Sequence, residues 1–380
     1  MVVTFEPGTL NLVATALFRK NMLNTLKIIK NNRGIALLIT ISVTTILVAA
    51  ALEYNRRARF AVISTAATRD HFTMGNMAVA GVHAAMALLV KDRSESDFDS
   101  LQEDWANPEK IDEILQEISF EKGKLAVTIA DELSKIQVNA LVSYPEGREF
   151  NSSQVLLWDR YLRYIGSDEQ LQEDSDPVAI VNSVKDWLDR GDDDATTGLS
   201  GAESNYYEDL DPPYASRNGP IPNLSELLLI KGITPELFYG QEETPGLSDH
   251  MTVHGMTLGA GTAFKWPGRI NINTADLPVL AALLGIENQE LAQTLYDFRQ
   301  EIVESKDVHD FSSTKWYKNI PGFEDIAIDQ KLITASSDVF RIESEAVISN
   351  IKTSVTALIQ RVQHPESGKW TCKVLSWQTE

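Results

Sequence analysis

Eighteen consecutive residues, Ile35 to Leu52, carry no charge. As an α-helix they would span roughly 27 Å, close to the ~30 Å of bilayer hydrocarbon. No proline stands between Pro7 and Pro108, so nothing breaks a helix that starts there. Past Leu52 the pattern turns amphipathic. Met74, Ala78, Gly81, Val82, Ala85, Leu88 and Leu89 recur at three- and four-residue spacings and predict one apolar stripe. One helix from Ile35 to Val90 would reach roughly 84 Å. Ala49-Ala50-Ala51 offers a small-residue cleavage site, so a discarded secretory signal is the competing reading. Against it, the run exceeds the usual ~7–15 apolar residues of such signals, and no breaker follows it.

Charge divides the chain in the same place. Residues 1–91 hold ten Lys and Arg against three Asp and Glu, a net +7; residues 92–380 hold 24 against 51, a net −27. A basic apolar front and an acidic body suit a membrane-attached N-terminus with a soluble body on the far side. The acidic body disfavours nucleic acid, whose phosphates require clustered amines and guanidiniums. The single cysteine, Cys372, excludes an internal disulfide framework and multi-cysteine metal sites.

Lys124 to Asn139 reads as two short strands around a polar turn at Asp131-Glu132. Three more strands are expected in "VFRIESEAVI", "TSVTALIQRV" and "KWTCKVLSWQ", with Glu366-Ser367-Gly368 as the last turn. About 190 residues of mostly helical pattern separate the two groups. The expected fold class is α+β: a long N-terminal helix packed on an antiparallel sheet, with a large, mainly α-helical domain inserted into it. The boundaries implied are 1–34 ahead of the helix, 35–91 for the helix, 92–140 and 336–380 for the sheet domain, and 141–335 for the insert.

Two helix-turn-helix units fall in the insert. Asn223 and Glu226 have capping-box spacing and Gly232 stops that helix. Thr274 is expected to cap the second, with Pro278 in its first turn and Gly285 at its end. This second unit is similar to the helix-hairpin-helix of competence-type DNA receptors, so a membrane-anchored DNA-binding protein is the alternative reading. Such hairpins hold phosphate on backbone N–H groups of a glycine turn. Here the turn reads Gly285-Ile286-Glu287, and Arg269 to Glu301 contains two arginines, no lysine and five acids. A carboxylate in the anion-binding turn repels the ligand.

The stretch from Asp186 to Asp211, "DWLDRGDDDATTGLSGAESNYYEDLD", holds nine carboxylates and one arginine. A solvated acidic loop is the plain reading. Flanking Trp187, Tyr206 and Tyr207 allow it to fold back on a core instead. Counted from Asp192, oxygen side chains at Asp194, Thr196, Ser200 and Glu203 approach the spacing of an EF-hand loop, but the glycine, Gly198, is displaced by one. The segment is therefore a candidate Ca2+ loop of another kind. Asp186, Asp189, Asp192, Asp194 and Glu203 are the expected ligands, with Glu208 a further candidate. No phosphate-binding glycine loop, H-E-x-x-H or G-x-S-x-G occurs. His71 and His83 belong to the long helix, and His254 and His309 are paired by spacing with no nucleophile. No enzyme is expected.

Arg33-Gly34, preceded by Lys27 and Lys30 and followed by the apolar run, resembles a type IV prepilin leader. The resemblance implies cleavage by a prepilin peptidase between Gly34 and Ile35, methylation, and retention of the apolar helix. Met22 is an alternative start for the leader. Where that family carries glutamate five residues past the cut, this chain has Ile39. That departure is shared by the minor pseudopilin K of type II secretion. A carboxylate in lipid is expensive without a neutralising neighbour, and a subunit at a fibre end lacks one. The segments "GAESNYYEDLDPPYASRNGPIPNLSELLLIKGI" and "GRININTADLPVLAALLGI" are the most specific matches. The resemblance covers nearly all of residues 27–380. It implies a pilin-like sheet domain and calcium in the insert. It also implies an inner-membrane, single-pass protein with a cytoplasmic N-terminus and a periplasmic body. The implied role is capping a pseudopilus tip with minor pseudopilins I and J, next to the inner-membrane secretion platform.

Overall fold

In the computed structural model helix α1 runs unbroken over Ile35–Glu95, 61 residues. The residues described are 34–118, 120, 122–166, 176–191, 196–241, 244–259, 263–303, 306–307 and 309–380. Contacts divide the chain into one unit ending at Phe72 and a second running Thr73–Glu380. In the first, α1 is exposed almost throughout, and its apolar run is long enough to cross a membrane by length and composition. In the second, the predicted stripe is buried, every one of the seven residues included, with Met77 added. Each fully buried Met, Val or Leu there contributes about 1.5–3 kcal/mol.

The stripe packs on a four-stranded sheet of β1 (Lys124–Asp131) and three strands from the C-terminal end of the chain. Further strands along the chain are β2 Ile136–Gln137, β3 Met251–Thr252, β4 Ile270–Asn271, β5 Ile333–Thr334, β6 Val339–Ile348, β7 Ile351–Gln363 and β8 Trp370–Thr379. The large sheet has the order β1-β6-β7-β8, and each neighbour is antiparallel. Alternate residues of β6 and β7 (Phe340, Ile342, Ala346; Val355, Ala357, Ile359) face the helix, as a period of two requires. Gly81 sits at the closest approach. A Cβ there would collide with Ser344 Oγ and Val127 Cγ2, so only glycine lets the helix lie so near the sheet.

Everything between β1 and β6 forms the insert, which has its own apolar core from Ile136 to Ile333. Its main helices are α3 (Ser152–Ile165), α4 (Pro177–Leu188), α6 (Leu277–Leu284) and α7 (Ala292–Arg299), with a short α5 (Ser204–Glu208). Helix α2 (Pro108–Glu117), capped by the Asn107 side chain, precedes β1 on the sheet side.

Three local expectations are corrected. The second strand of the Lys124–Asn139 segment does not turn back on the first: β2 pairs in parallel with β3, because Glu132–Ser134 forms a 3-10 turn that carries the chain into the insert. Asn223 caps a 3-10 helix, Leu224–Leu229, not an α-helix. Thr274 does not cap α6, whose N-cap is Asp276. The Thr274 hydroxyl donates instead to the buried carboxylate of Asp131 at 2.6 Å. Pro278 and Gly285 take the places expected of them, and Val279 to Leu284 are buried in the core. The hairpin thus fills the interior of the insert.

Asparagine amides tie the insert to its stem. Asn273 Nδ2 donates to the carbonyls of Asp99, Phe311 and Ala335, and its Oδ1 accepts from Trp316 Nε1 at 2.6 Å. Asn271 Nδ2 donates to the Asp99 carbonyl and to Asp131. Glu132, 2% exposed, accepts from Arg341 on β6 and from the Thr252 hydroxyl.

Candidate metal centre in the inserted domain

Helix α4 begins at Pro177, where a missing N–H costs nothing, and ends at Leu188 with Asp189 as its C-cap. Asp186 and Asp189 are three apart and share a face. Both lie at the helix C-terminus, where the backbone dipole disfavours carboxylates and welcomes a cation. The next segment folds back across this end. Thr197 N–H donates to both Asp186 oxygens, at 3.0 and 3.1 Å. Asn182 Nδ2 donates to Ser200 Oγ at 3.1 Å, and Lys231 Nζ donates to the Ser200 carbonyl. Trp187 and Tyr207 meet edge to face at 5.0 Å beneath the loop, and Trp187 Nε1 donates to Glu226.

This folding brings Glu203 to Asp186 and Asp189. One oxygen from each of the three lies within 4.8 Å of the others. The carboxylates are 0%, 8% and 1% exposed, so water screens them poorly. Lys185 Nζ pairs with Asp189 Oδ2 at 2.6 Å and offsets part of the charge. A single ion at 2.3–2.6 Å from each ligand requires oxygens no more than about 5 Å apart, and the group meets that limit. Gly201 completes the cradle: a Cβ there would run into Asp186 Oδ2, so the loop closes over the carboxylate only with glycine. Hard oxygen donors of this kind suit calcium better than a thiophilic metal.

Of the six acids expected from sequence, Asp186, Asp189 and Glu203 come together. Asp192 and Asp194 lie outside the described residues. Glu208 is exposed on α5 and stands apart from the group. Ser200 Oγ accepts from Asn182 Nδ2 and so holds the loop to α4.

A second carboxylate group, Asp92, Asp99 and Glu103, lies at the end of α1 and had no signal in sequence spacing. Arg361 of β7 occupies it. Its guanidinium meets Asp99 at 2.6 Å and Asp92 at 3.0 Å, and it also donates to the Ser337 carbonyl. Burial raises the Asp92 carboxyl to about 7, and burial likewise raises Asp99 and Glu103. At the other end of α1, Gly34 has φ +113 and immediately precedes the first helical residue, Ile35. The helix therefore starts at the expected point of cleavage, and the leader before residue 34 lies outside the described residues.

A long helix laid on a four-stranded antiparallel sheet, with a helical domain inserted between its first two strands, defines a pilin-like fold with an elaborated body. A family model described as "Type II secretion system (T2SS), protein K" matches residues 134–240. The type II secretion system protein K of Klebsiella pneumoniae is 24% identical over 342 residues, 87% of this chain and 92% of that one. Its namesake in Pseudomonas aeruginosa is 26% identical over 288 residues, 73% and 76% of the two chains. The chain is thus similar in sequence to type II secretion system protein K, through residues 134–240 for the family model and over most of its length for these two relatives. Its fold is similar to a chain in the crystal structure of the GspK-GspI-GspJ complex from enterotoxigenic Escherichia coli, at TM-score 0.56 and 17% identity over 83% of this chain and 99% of that one.

Proposed function

We propose that the protein is a minor pseudopilin that caps the tip of a type II secretion pseudopilus and initiates its assembly. One observation carries this: the insert is built between β1 and β6 of a pilin-like body, in a chain similar to type II secretion system protein K. A domain of that bulk next to the sheet obstructs a further subunit stacked on it, so the subunit belongs at an end. The complex named for the Escherichia coli structure supports minor pseudopilins I and J as neighbours. The apolar run of α1 anchors the subunit in the inner membrane before assembly, with the N-terminus cytoplasmic and the acidic body periplasmic. Lateral packing of α1 against other pseudopilin helices then replaces lipid contacts. Prepilin peptidase acts between Gly34 and Ile35.

The role is structural: the body positions partners and carries out no reaction. Calcium, held by Asp186, Asp189 and Glu203, fixes the α4 end and the loop over it. When bound, it supplies positive charge to carboxylates that otherwise repel one another. Maturation and capture test the assignment together. N-terminal sequencing of membrane-extracted protein is expected to begin at Ile35, and Gly34→Leu is expected to accumulate as precursor. Wild-type protein is expected to co-purify with minor pseudopilins I and J. A mature chain beginning at Ala51 or later would remove the assignment.

A further inference from the structure

We propose that a cleft between β2, the start of α3 and the Trp266–Arg269 loop binds a short acidic peptide segment of another protein. The cleft has a volume of about 640 Å³, within the usual range of ligand pockets. Lys265, Arg269 and Lys331 line it, and Asp338 is the acid among its described lining residues. All three cations are exposed, and none of them enters an ion pair among the described residues. Residues 92–380 carry a net −27, so three cations around one cleft, against Asp338 in its lining and Asp329 near Lys331, make it locally basic. A concave wall focuses that field and draws anions to it.

Charge alone does not say which anion, but Gln154 does. It lines the cleft and is 1% exposed. Its Nε2 donates to the Gly268 carbonyl at 2.7 Å, which fixes the amide's orientation. Its Oε1 has no hydrogen-bond partner among the described residues. A buried carbonyl oxygen calls for a donor. An inorganic anion or a bare carboxylate brings only acceptors at neutral pH, whereas a peptide brings main-chain N–H groups along with its acidic side chains.

The aromatic wall favours the same ligand. Trp266 and Tyr144 meet edge to face at 5.2 Å and 62°. Their polar atoms are committed, Trp266 Nε1 to the Val253 carbonyl and Tyr144 Oη to that of Leu188. They therefore offer apolar edges to an aliphatic side chain and not a flat stacking platform for a sugar ring.

The test uses the full-length chain in detergent and the probe acetyl-Glu-Leu-Asp-Glu-amide, followed by titration calorimetry. Saturable binding is expected, falling about tenfold or more with Lys265→Gln, Arg269→Gln and Lys331→Gln combined, and falling as salt rises. Gln154→Met is expected to weaken binding several-fold with the three cations in place. The neutral probe acetyl-Gln-Leu-Asn-Gln-amide is expected to give no heat. The three cations are exposed, so an unchanged thermal midpoint for the triple variant certifies its fold. No saturation at concentrations on the order of millimolar would overturn the proposal. So would equal affinity for the triple variant, or binding of oligogalacturonate in place of the peptide. Cleavage at Gly34 is read separately, so loss of peptide binding leaves the assembly role standing.

Discussion

Among the described residues two groups of three carboxylates are buried or half-buried, and they are balanced differently. Asp92, Asp99 and Glu103 surround a guanidinium that the sheet itself supplies, with Arg361 buried and resting over the Phe340 ring at 4.7 Å. Asp186, Asp189 and Glu203 gather at a helix C-terminus, with the Lys185 ammonium bound to one of them. The first group is a permanent lock between α1 and β7. The second is a socket whose charge invites an exchangeable ion. The guanidinium is part of the chain and is always at hand, whereas a metal-filled group makes local order depend on the supply of the ion.

The comparison breaks most sharply at Arg361. Arg361→Met leaves Asp92 and Asp99 buried without their counter-charge and is expected to cost about 3–5 kcal/mol, read by denaturant unfolding. A cost below about 1 kcal/mol would mean that the lock is not one. At the socket, saturating calcium is expected to stabilise the insert by about 2.7 kcal/mol at a hundred times Kd. Chelation should remove this increment, and Asp186→Asn with Glu203→Gln should abolish the response to calcium while Arg361 keeps its contribution. A response that survives both substitutions would place the ion elsewhere. Gly201→Ala is expected to weaken calcium about tenfold, since its methyl competes with the Asp186 carboxylate for space, with a smaller effect on unfolding without calcium.

The smallest effect is a pH dependence that belongs to Asp92 in the Arg361 group and to the buried Asp131. Burial raises Asp92 to about 7 and Asp131 to about 6. Their folded values lie above the unfolded one, near 4, so the folded state holds these protons more tightly. The stability they contribute is fully present below pH ~4 and is lost as pH rises through 6 to 7. In chelator, the thermal midpoint is therefore expected to rise by a few degrees from pH 8 to pH 5. A midpoint that stays flat or falls from pH 8 to pH 5 would remove this contribution of Asp92 and Asp131.

Much of the sheet body was legible because its signals are periodic and local. All seven stripe residues of α1 are buried, and β6, β7 and β8 occupy the predicted segments. The socket was half legible: Asp186 and Asp189 share a helical face by spacing, but which downstream acid closes the group depends on how the loop folds back. Thr274 misled because a hydroxyl four residues before a helical proline looks like a cap, and its preference for buried Asp131 is visible only in three dimensions. The pairing of β2 with β3 and the carbonyl contacts of Asn273 had no local signal.

From sequence alone came the uncharged helix start behind Gly34, the buried stripe, the strand segments and the acidic character of the body, since each depends on neighbours within a turn or a pleat. Tertiary structure alone decided that Arg361 fills one carboxylate group, across 262 residues from Asp99. It also decided that Glu203, not Glu208, completes the other. Ion pairs and buried amides are satisfied by whichever partner the packed core brings within about 3 Å, and no spacing along the chain records that distance.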